Sequence, residues 1–101
     1  MSYYFLAVVD VHDKESYRRY QQGVAPIIMP HCLKVHAITE NVDAVEGEFP
    51  GSILVLFEFE SAKVFRSWWD SDEYTELKKL RHAAGTTHLA IGFESTELPA
   101  F

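Results

Sequence analysis

The segment Ile53–Glu60 places the strongest constraint on the fold of this chain. It reads I-L-V-L-F-E-F-E between Pro50-Gly51-Ser52 and Ser61, and a short apolar run bounded by turn residues predicts a β-strand. Side chains alternate between the faces of a strand, so one face is wholly apolar: Ile53, Val55, Phe57 and Phe59. The other face is also apolar at Leu54 and Leu56, before Glu58 and Glu60. A sheet with helices on one side needs only one apolar face. The second apolar face must therefore be covered by something other than these helices, and we expect a second subunit there.

The remaining segments predict partners for this strand. Hydrophobic spacing and capping residues predict the following elements: a strand at Tyr3–Val11, a helix from Lys14 to Met29 capped by Asp13, a strand at Leu33–Glu40 that resumes at Val45–Glu48, a helix capped by Ser61 that ends at Trp69, a helix capped by Ser71 that ends at Ala84, and a strand at Thr87–Glu94. The order β-α-β-β-α-β predicts an α+β, ferredoxin-like fold, with a four-stranded antiparallel sheet and helices on one face.

The pattern also assigns faces and a domain boundary. On the second strand, one face is predicted to carry Leu33, Val35, Ala37 and Thr39, and the other Lys34, His36, Ile38 and Glu40. On the fourth strand, the predicted core face carries Leu89, Ile91 and Phe93, opposite His88, Ala90, Gly92 and Glu94. Residues 1–95 are predicted to form a single domain. Residues 96–101 are predicted to be a tail, in which Leu98 and Phe101 can dock on another surface.

Composition excludes several classes of function. The net charge is −6 and the Lys and Arg residues form no cluster, which argues against nucleic-acid binding and against binding to an anionic membrane surface. No apolar run is long enough to span a bilayer, and the N-terminal segment lacks a basic leader. Cys32 is the only cysteine, so no intrachain disulfide forms. We therefore predict a cytoplasmic protein.

Several motifs resemble those of the domain of unknown function 1330 family, within the dimeric α+β barrel superfamily. The resemblance rests on Y-Y-F-L-A-V-V-D-V-H-D at the start, V-E-G-E-F-P in the middle, F-E-F-E-S, and S-W-W-D-S-D-E-Y-T-E-L-K-K-L-R. It implies a homodimer whose two sheets close into a barrel, but no particular activity. The wider superfamily includes cofactor-free monooxygenases, lactone isomerases, haem-degrading enzymes and amino-acid-sensing domains, and a shared fold does not choose among them. The chain departs from the family pattern at Cys32-Leu33-Lys34, where Gly-Gly-Arg is frequent, and at Ile38, where a second Arg is common. Lys34 keeps a positive charge there but is not a planar, bidentate donor.

Glu46 and Arg81 are the first candidates for catalytic residues, since both fall on the family motifs. Facing one cavity, they could orient a polar substrate, or Glu46 could act as a base. The alternative is a structural ion pair that holds the last helix to the sheet.

A second group of residues could bind a ligand. Tyr20, Trp68 and Tyr74 could line a pocket or could be ordinary core residues. His36 and His88 are expected on faces directed into the barrel. Either could be a general base or a haem ligand, and the alternative is a satisfied interior histidine. Lys34 completes the predicted ligand-binding set.

No cofactor and no metal site is predicted. The histidines show no H-E-x-x-H spacing, and there is no phosphate loop and no G-x-S-x-G motif. Two function classes stay open: a cofactor-independent enzyme acting on a small aromatic or carbonyl-bearing molecule, and a small-molecule-binding or structural homodimer without turnover.

Overall fold

The computed structural model describes residues 2–96 and confirms the α+β, ferredoxin-like fold. The elements are β1 (Tyr3–Val11), α1 (Lys14–Ile28), β2 (Cys32–Thr39), β3 (Ile53–Phe59), α2 (Ala62–Trp69), α3 (Asp72–Ala84) and β4 (Gly85–Glu94). The predicted strand at Val45–Glu48 is absent. This segment forms a bend in which Gly47 has a φ of 80° and Val45 is 87% exposed, because no neighbouring strand pairs with it. Leu98 and Phe101 lie outside the described residues.

Side-chain caps fix where the three helices begin. Each capping oxygen accepts a hydrogen bond from the backbone N–H three residues later: Asp13 from Ser16, Ser61 from Val64, and Ser71 from Tyr74. Such caps satisfy backbone donors that the first helical turn leaves without partners. Among the described residues, no helix is long and apolar enough to cross a membrane.

The four strands form one antiparallel sheet in the order β2-β3-β1-β4. Residues opposite each other in an antiparallel pair share a face, so the register defines three rows across the helix-free face. These rows are Lys34-Glu58-Tyr4-Phe93, Ala37-Leu56-Leu6-Ile91 and Thr39-Leu54-Val8-Leu89. We call the last two rows, which are almost entirely aliphatic, the apolar sheet face.

The hydrophobic core lies between the helices and the opposite face of the two central strands. β1 supplies Phe5, Ala7 and Val9, and β3 supplies its predicted apolar face: Ile53, Val55, Phe57 and Phe59. The helices add Tyr17, Tyr20, Val24, Ile28, Phe65, Trp68, Tyr74 and Ala84. Trp68, which is 1% exposed, stacks on Phe59 with ring centroids 5.8 Å apart, so α2 is anchored directly on β3.

The predicted faces of β4 are wrong. Leu89, Ile91 and Phe93 pair with Val8, Leu6 and Tyr4 on the helix-free face, and they are 39%, 41% and 43% exposed. The register shifts between Val8 and Val9, which leaves His88 as an extra residue, a β-bulge. Ala90 and Gly92 therefore lie on the helix side. A Cβ at Gly92 would collide with the Tyr3 side chain, so the glycine allows Tyr3 to pack across β4.

The predicted alternation along β2 is also wrong, because two register shifts interrupt the strand. The first lies between Cys32 and Lys34 and makes Leu33 an extra residue. A register shift between Val35 and Ala37 makes His36 the extra residue. Val35 pairs with Phe57 on the helix side, but Ala37 pairs with Leu56 on the opposite face. Ile38 returns to the helix side, where it faces the space beneath α1.

Candidate functional site

A cavity of about 130 Å³ lies between α1 and the helix side of the sheet. Its lining is almost entirely apolar and aromatic, with residues from α1, α2, α3 and the strands: Phe5, Ala7, Val9, Tyr17, Tyr20, Gln21, Val24, Ala25, Ile28, Met29, Val35, Ile38, Val55, Phe57, Trp68 and Arg81. A cavity of about 150 Å³ can hold a benzene molecule, so this space suits a ligand of single-ring size. We call it the α1 pocket.

Arg81 is the charged residue in the lining of the α1 pocket, as far as residues 2–96 show. It lies near the C-terminal end of α3 and is 3% exposed, the only charged residue that is buried in the described part of the chain. Its guanidinium carbon lies 5.5 Å from the centre of the Trp69 ring. Its Nη2 lies 3.3 Å from Nε2 of His82, and a neutral His82 accepts a hydrogen bond there. Burial and the neighbouring Arg81 charge both lower the pKa of His82, which favours that neutral form.

Arg81 has no carboxylate partner within residues 2–96. None of the ion pairs in that range includes it, and its Nε is buried without a hydrogen-bond acceptor. Nε1 of Trp68, another residue of the lining, is also a buried donor without an acceptor. Buried polar groups are normally paired, so two such donors on residues of one pocket lining are unusual within residues 2–96.

The tyrosines near Arg81 cannot supply the missing negative charge at neutral pH. Burial raises the pKa of Tyr17 to about 12, although the Arg81 charge acts in the opposite direction. Burial also raises the pKa values of Tyr20 and Tyr74. The hydroxyls of Tyr20 and Tyr74 are 2.7 Å apart, so one donates a hydrogen bond to the other, and only the accepting hydroxyl keeps an O–H that it can donate elsewhere.

Replacing Tyr20 with Phe is expected to lower the free energy of unfolding by about 1–3 kcal/mol, because the Tyr74 hydroxyl loses its buried partner. The double variant Tyr20→Phe/Tyr74→Phe is expected to cost less than the sum of the two single changes, since no hydroxyl is then left unpaired. Urea denaturation of the four proteins measures this coupling. Additive losses would show that the hydrogen bond contributes nothing.

A second group of polar residues lies on the helix-free face, around the row Lys34-Glu58-Tyr4-Phe93. Nε2 of His36 is 2.7 Å from Oε1 of Glu58, and the hydroxyl of Ser2 donates to Oε2 of the same carboxylate. Both hydrogen bonds lower the pKa of Glu58, and the bond from Ser2 has the larger effect. The Tyr4 ring lies beside His36, at 5.7 Å between ring centres. Sequence reasoning missed Glu58 as a site residue, although it is the first polar residue on an otherwise aliphatic face.

The predicted site residues thus fall in different places. Tyr20, Trp68 and Arg81 line the α1 pocket, whereas Tyr74 is fully buried behind it. His36 and Lys34 lie on the helix-free face. Their ligand-binding roles stay predictions.

Glu46 and His88 do not join Arg81 within one chain. Glu46 is exposed in the bend before β3, and His88 is exposed in the bulge of β4. Neither lines the α1 pocket, and Glu46 forms no ion pair with Arg81 among the described residues. The catalytic roles predicted for Glu46, Arg81 and His88 stay predictions. Within residues 2–96, no group of three or more His, Cys, Asp or Glu residues is arranged to hold a metal ion.

Comparison with protein families identifies the chain. The model of the domain of unknown function 1330 (DUF1330) matches residues 2–93. The chain belongs to the DUF1330 family. A search of curated protein sequences finds no match.

Solved structures with the same fold have low sequence identity to this DUF1330 protein. A protein of unknown function from Rhodopseudomonas palustris superposes with a TM-score of 0.78 at 17% identity, over 96% of this chain and 84% of its own. A dimeric ferredoxin-like protein of unknown function from Jannaschia sp. gives 0.74 at 10% identity, over 94% of this chain and 100% of its own. SnoaB, a cofactor-independent oxygenase from Streptomyces nogalater, gives 0.73 at 14% identity, over 98% of both chains. These similarities establish the fold.

Proposed function

We propose that this DUF1330 protein is a homodimer that binds a small aromatic or carbonyl-bearing molecule in the α1 pocket. The observation that carries the proposal is an apolar cavity of single-ring size with a buried guanidinium in its wall that has no carboxylate partner within residues 2–96. Ligand sites are usually concave and mainly apolar, with a few polar groups that orient the ligand. The α1 pocket has these properties.

The apolar sheet face supports the homodimer. Leu89 and Ile91 are about two-fifths exposed, beside half-buried Leu6, Leu54 and Leu56 on the same face. Contiguous apolar patches of this kind on soluble proteins usually mark an interaction surface. A face-to-face pair of such sheets covers both patches, and the Jannaschia protein of the same fold is described as dimeric.

Ligand binding can be tested with a panel of benzoate, acetophenone, hydroquinone and a small lactone. Thermal shift and tryptophan fluorescence report binding, because Trp68 lines the pocket. A ligand present at about 100 times its dissociation constant stabilises the fold by about 2.7 kcal/mol, which is readily measured. We expect at least one compound to bind saturably.

Ala25 offers a way to block the pocket. It lines the cavity but is exposed, so it lies at the opening, and Ala25→Phe is expected to weaken binding at least tenfold. Ala83→Phe is the matched control, since Ala83 is exposed on α3 and is not part of the lining. No saturable binding by any compound, or equal binding by the two variants, would contradict the proposal.

A cofactor-independent enzyme is the second candidate, and the position of Arg81 favours it. A guanidinium in a pocket shielded from water can stabilise the negative charge of an enolate or phenolate. SnoaB, which shares the fold, is a cofactor-independent oxygenase. Product formation from a bound compound, without added cofactor and lost in Arg81→Met, would support this candidate; saturable binding without product supports the first.

A further inference from the structure

Arg81 has an electrostatic requirement that the described part of the chain leaves unmet. A buried charge is unfavourable unless an opposite charge or several hydrogen bonds compensate it. Here the compensation consists of the Trp69 ring and one hydrogen bond to neutral His82, while Nε has no acceptor. Tyr17, Tyr20 and Tyr74 stay protonated, as their raised pKa values require. An anion is therefore the missing component.

The form of the missing anion follows from the groups around it. A guanidinium matches a carboxylate in geometry, since two parallel N–H groups can donate to its two oxygens. Trp68 adds a further indole N–H without an acceptor. The rest of the wall is mainly apolar, and the rings of Phe5, Phe57 and Trp68 favour a ligand with a flat, apolar body.

The volume of the α1 pocket limits the size of the ligand. A volume of about 130 Å³ limits the enclosed part of a ligand to about a single ring. We infer that the α1 pocket selects a single-ring aromatic acid whose carboxylate pairs with Arg81. This inference rests on the proposed function, because it names the ligand class of the same pocket.

Benzoate and benzamide provide the test, because they have the same shape and differ in charge. We expect benzoate to bind the intact protein at least tenfold more tightly than benzamide, a difference of about 1.4 kcal/mol, measured by calorimetry or tryptophan fluorescence. Arg81→Met keeps the length and apolar stem of the side chain, and it is expected to abolish this preference by weakening benzoate alone. Arg81→Lys should keep part of the preference, since it retains charge without the planar fork.

Two further measurements separate a binding role from a structural one. Arg66→Met is the matched control, because Arg66 is exposed on α2 and is not part of the lining; it should keep the full preference for benzoate. Without ligand, Arg81→Met should melt no lower than the parent protein, because a buried charge with no carboxylate partner within residues 2–96 is replaced by an apolar side chain. The inference is overturned if Arg81→Met melts at a much lower temperature and both Arg81→Met and Arg81→Lys still prefer benzoate. Arg81 would then have a structural role only.

The outcomes for the parent protein distinguish the two proposals without any variant. If benzamide or acetophenone binds as tightly as benzoate, the pocket binds small molecules but the carboxylate inference is wrong. If none of these compounds binds, the proposed function fails as well.

Discussion

Replacing Trp68 with Ala is expected to lower the free energy of unfolding by about 3–5 kcal/mol, as for other fully buried aromatic residues. Trp68 is 1% exposed and joins α2, β3 and α3: its ring centroid lies 5.8 Å from that of Phe59 and 4.3 Å from that of Tyr74. A domain of this size is usually stable by only about 5–15 kcal/mol, so the variant loses a large part of its stability. Urea or guanidinium denaturation followed by circular dichroism measures the loss.

Two milder variants make this result interpretable even if Trp68→Ala does not fold. Trp68→Phe keeps an aromatic ring in the cluster and should lie between the parent protein and Trp68→Ala. Leu33→Ala is the control for an exposed large-to-small change, since Leu33 is 59% exposed, and its expected effect is within about 0.5 kcal/mol. A Trp68→Ala variant as stable as Leu33→Ala would contradict the packing described for α2.

Replacing Leu56 with Lys is expected to convert the proposed homodimer into monomers. Leu56 lies inside the row Ala37-Leu56-Leu6-Ile91, so a face-to-face dimer would bury the new charge on both subunits. The penalty for such burial is several kcal/mol per ion, and about 4 kcal/mol weakens association roughly a thousandfold. Light scattering at micromolar concentration should give about twice the 11.6 kDa chain mass for the parent protein and a single chain mass for the variant.

Gln22→Lys is the control for this change, since Gln22 is exposed on α1, away from the sheet. It should leave the dimer intact. A parent protein that is monomeric, or a Leu56→Lys protein with an unchanged dissociation constant, would show that the apolar sheet face is not the interface.

The sequence predicted the central strands and the helices well because their signals are local. Alternation in β1 and β3, and the caps Asp13, Ser61 and Ser71, depend on residues close together in the chain, and the structure confirms them. The faces of β2 and β4 depend on pairing with distant strands. Bulges at His36 and His88 shift that pairing by one residue, and one residue is enough to move every later side chain to the other face. Nothing in a strict period-two pattern signals such an insertion.

The candidate site was predictable only in part, for a related reason. Arg81, Trp68 and Tyr20 lie on helices whose inward faces follow from helical spacing, so their positions near one pocket could be anticipated. Glu46 was grouped with Arg81 through family motifs, but the bend that carries it has no periodic pattern that fixes its direction. Glu58 joins His36 and Ser2 through contacts between residues far apart in sequence, which no short motif records.

The strand order has a consequence for the synthesis of the protein. β1 is a central strand, but both of its neighbours come much later in the chain: Tyr3 pairs with Phe59 in β3 and with Glu94 in β4. A chain emerging from the ribosome therefore carries β1 without either neighbour until residues 53–59 have been made, and with one free edge until β4 follows. Long-range pairing of this kind is slow, and strand edges that have not yet paired favour aggregation. The sheet is complete only when β4 has joined β1, so the N-terminal half of the chain cannot finish this fold alone.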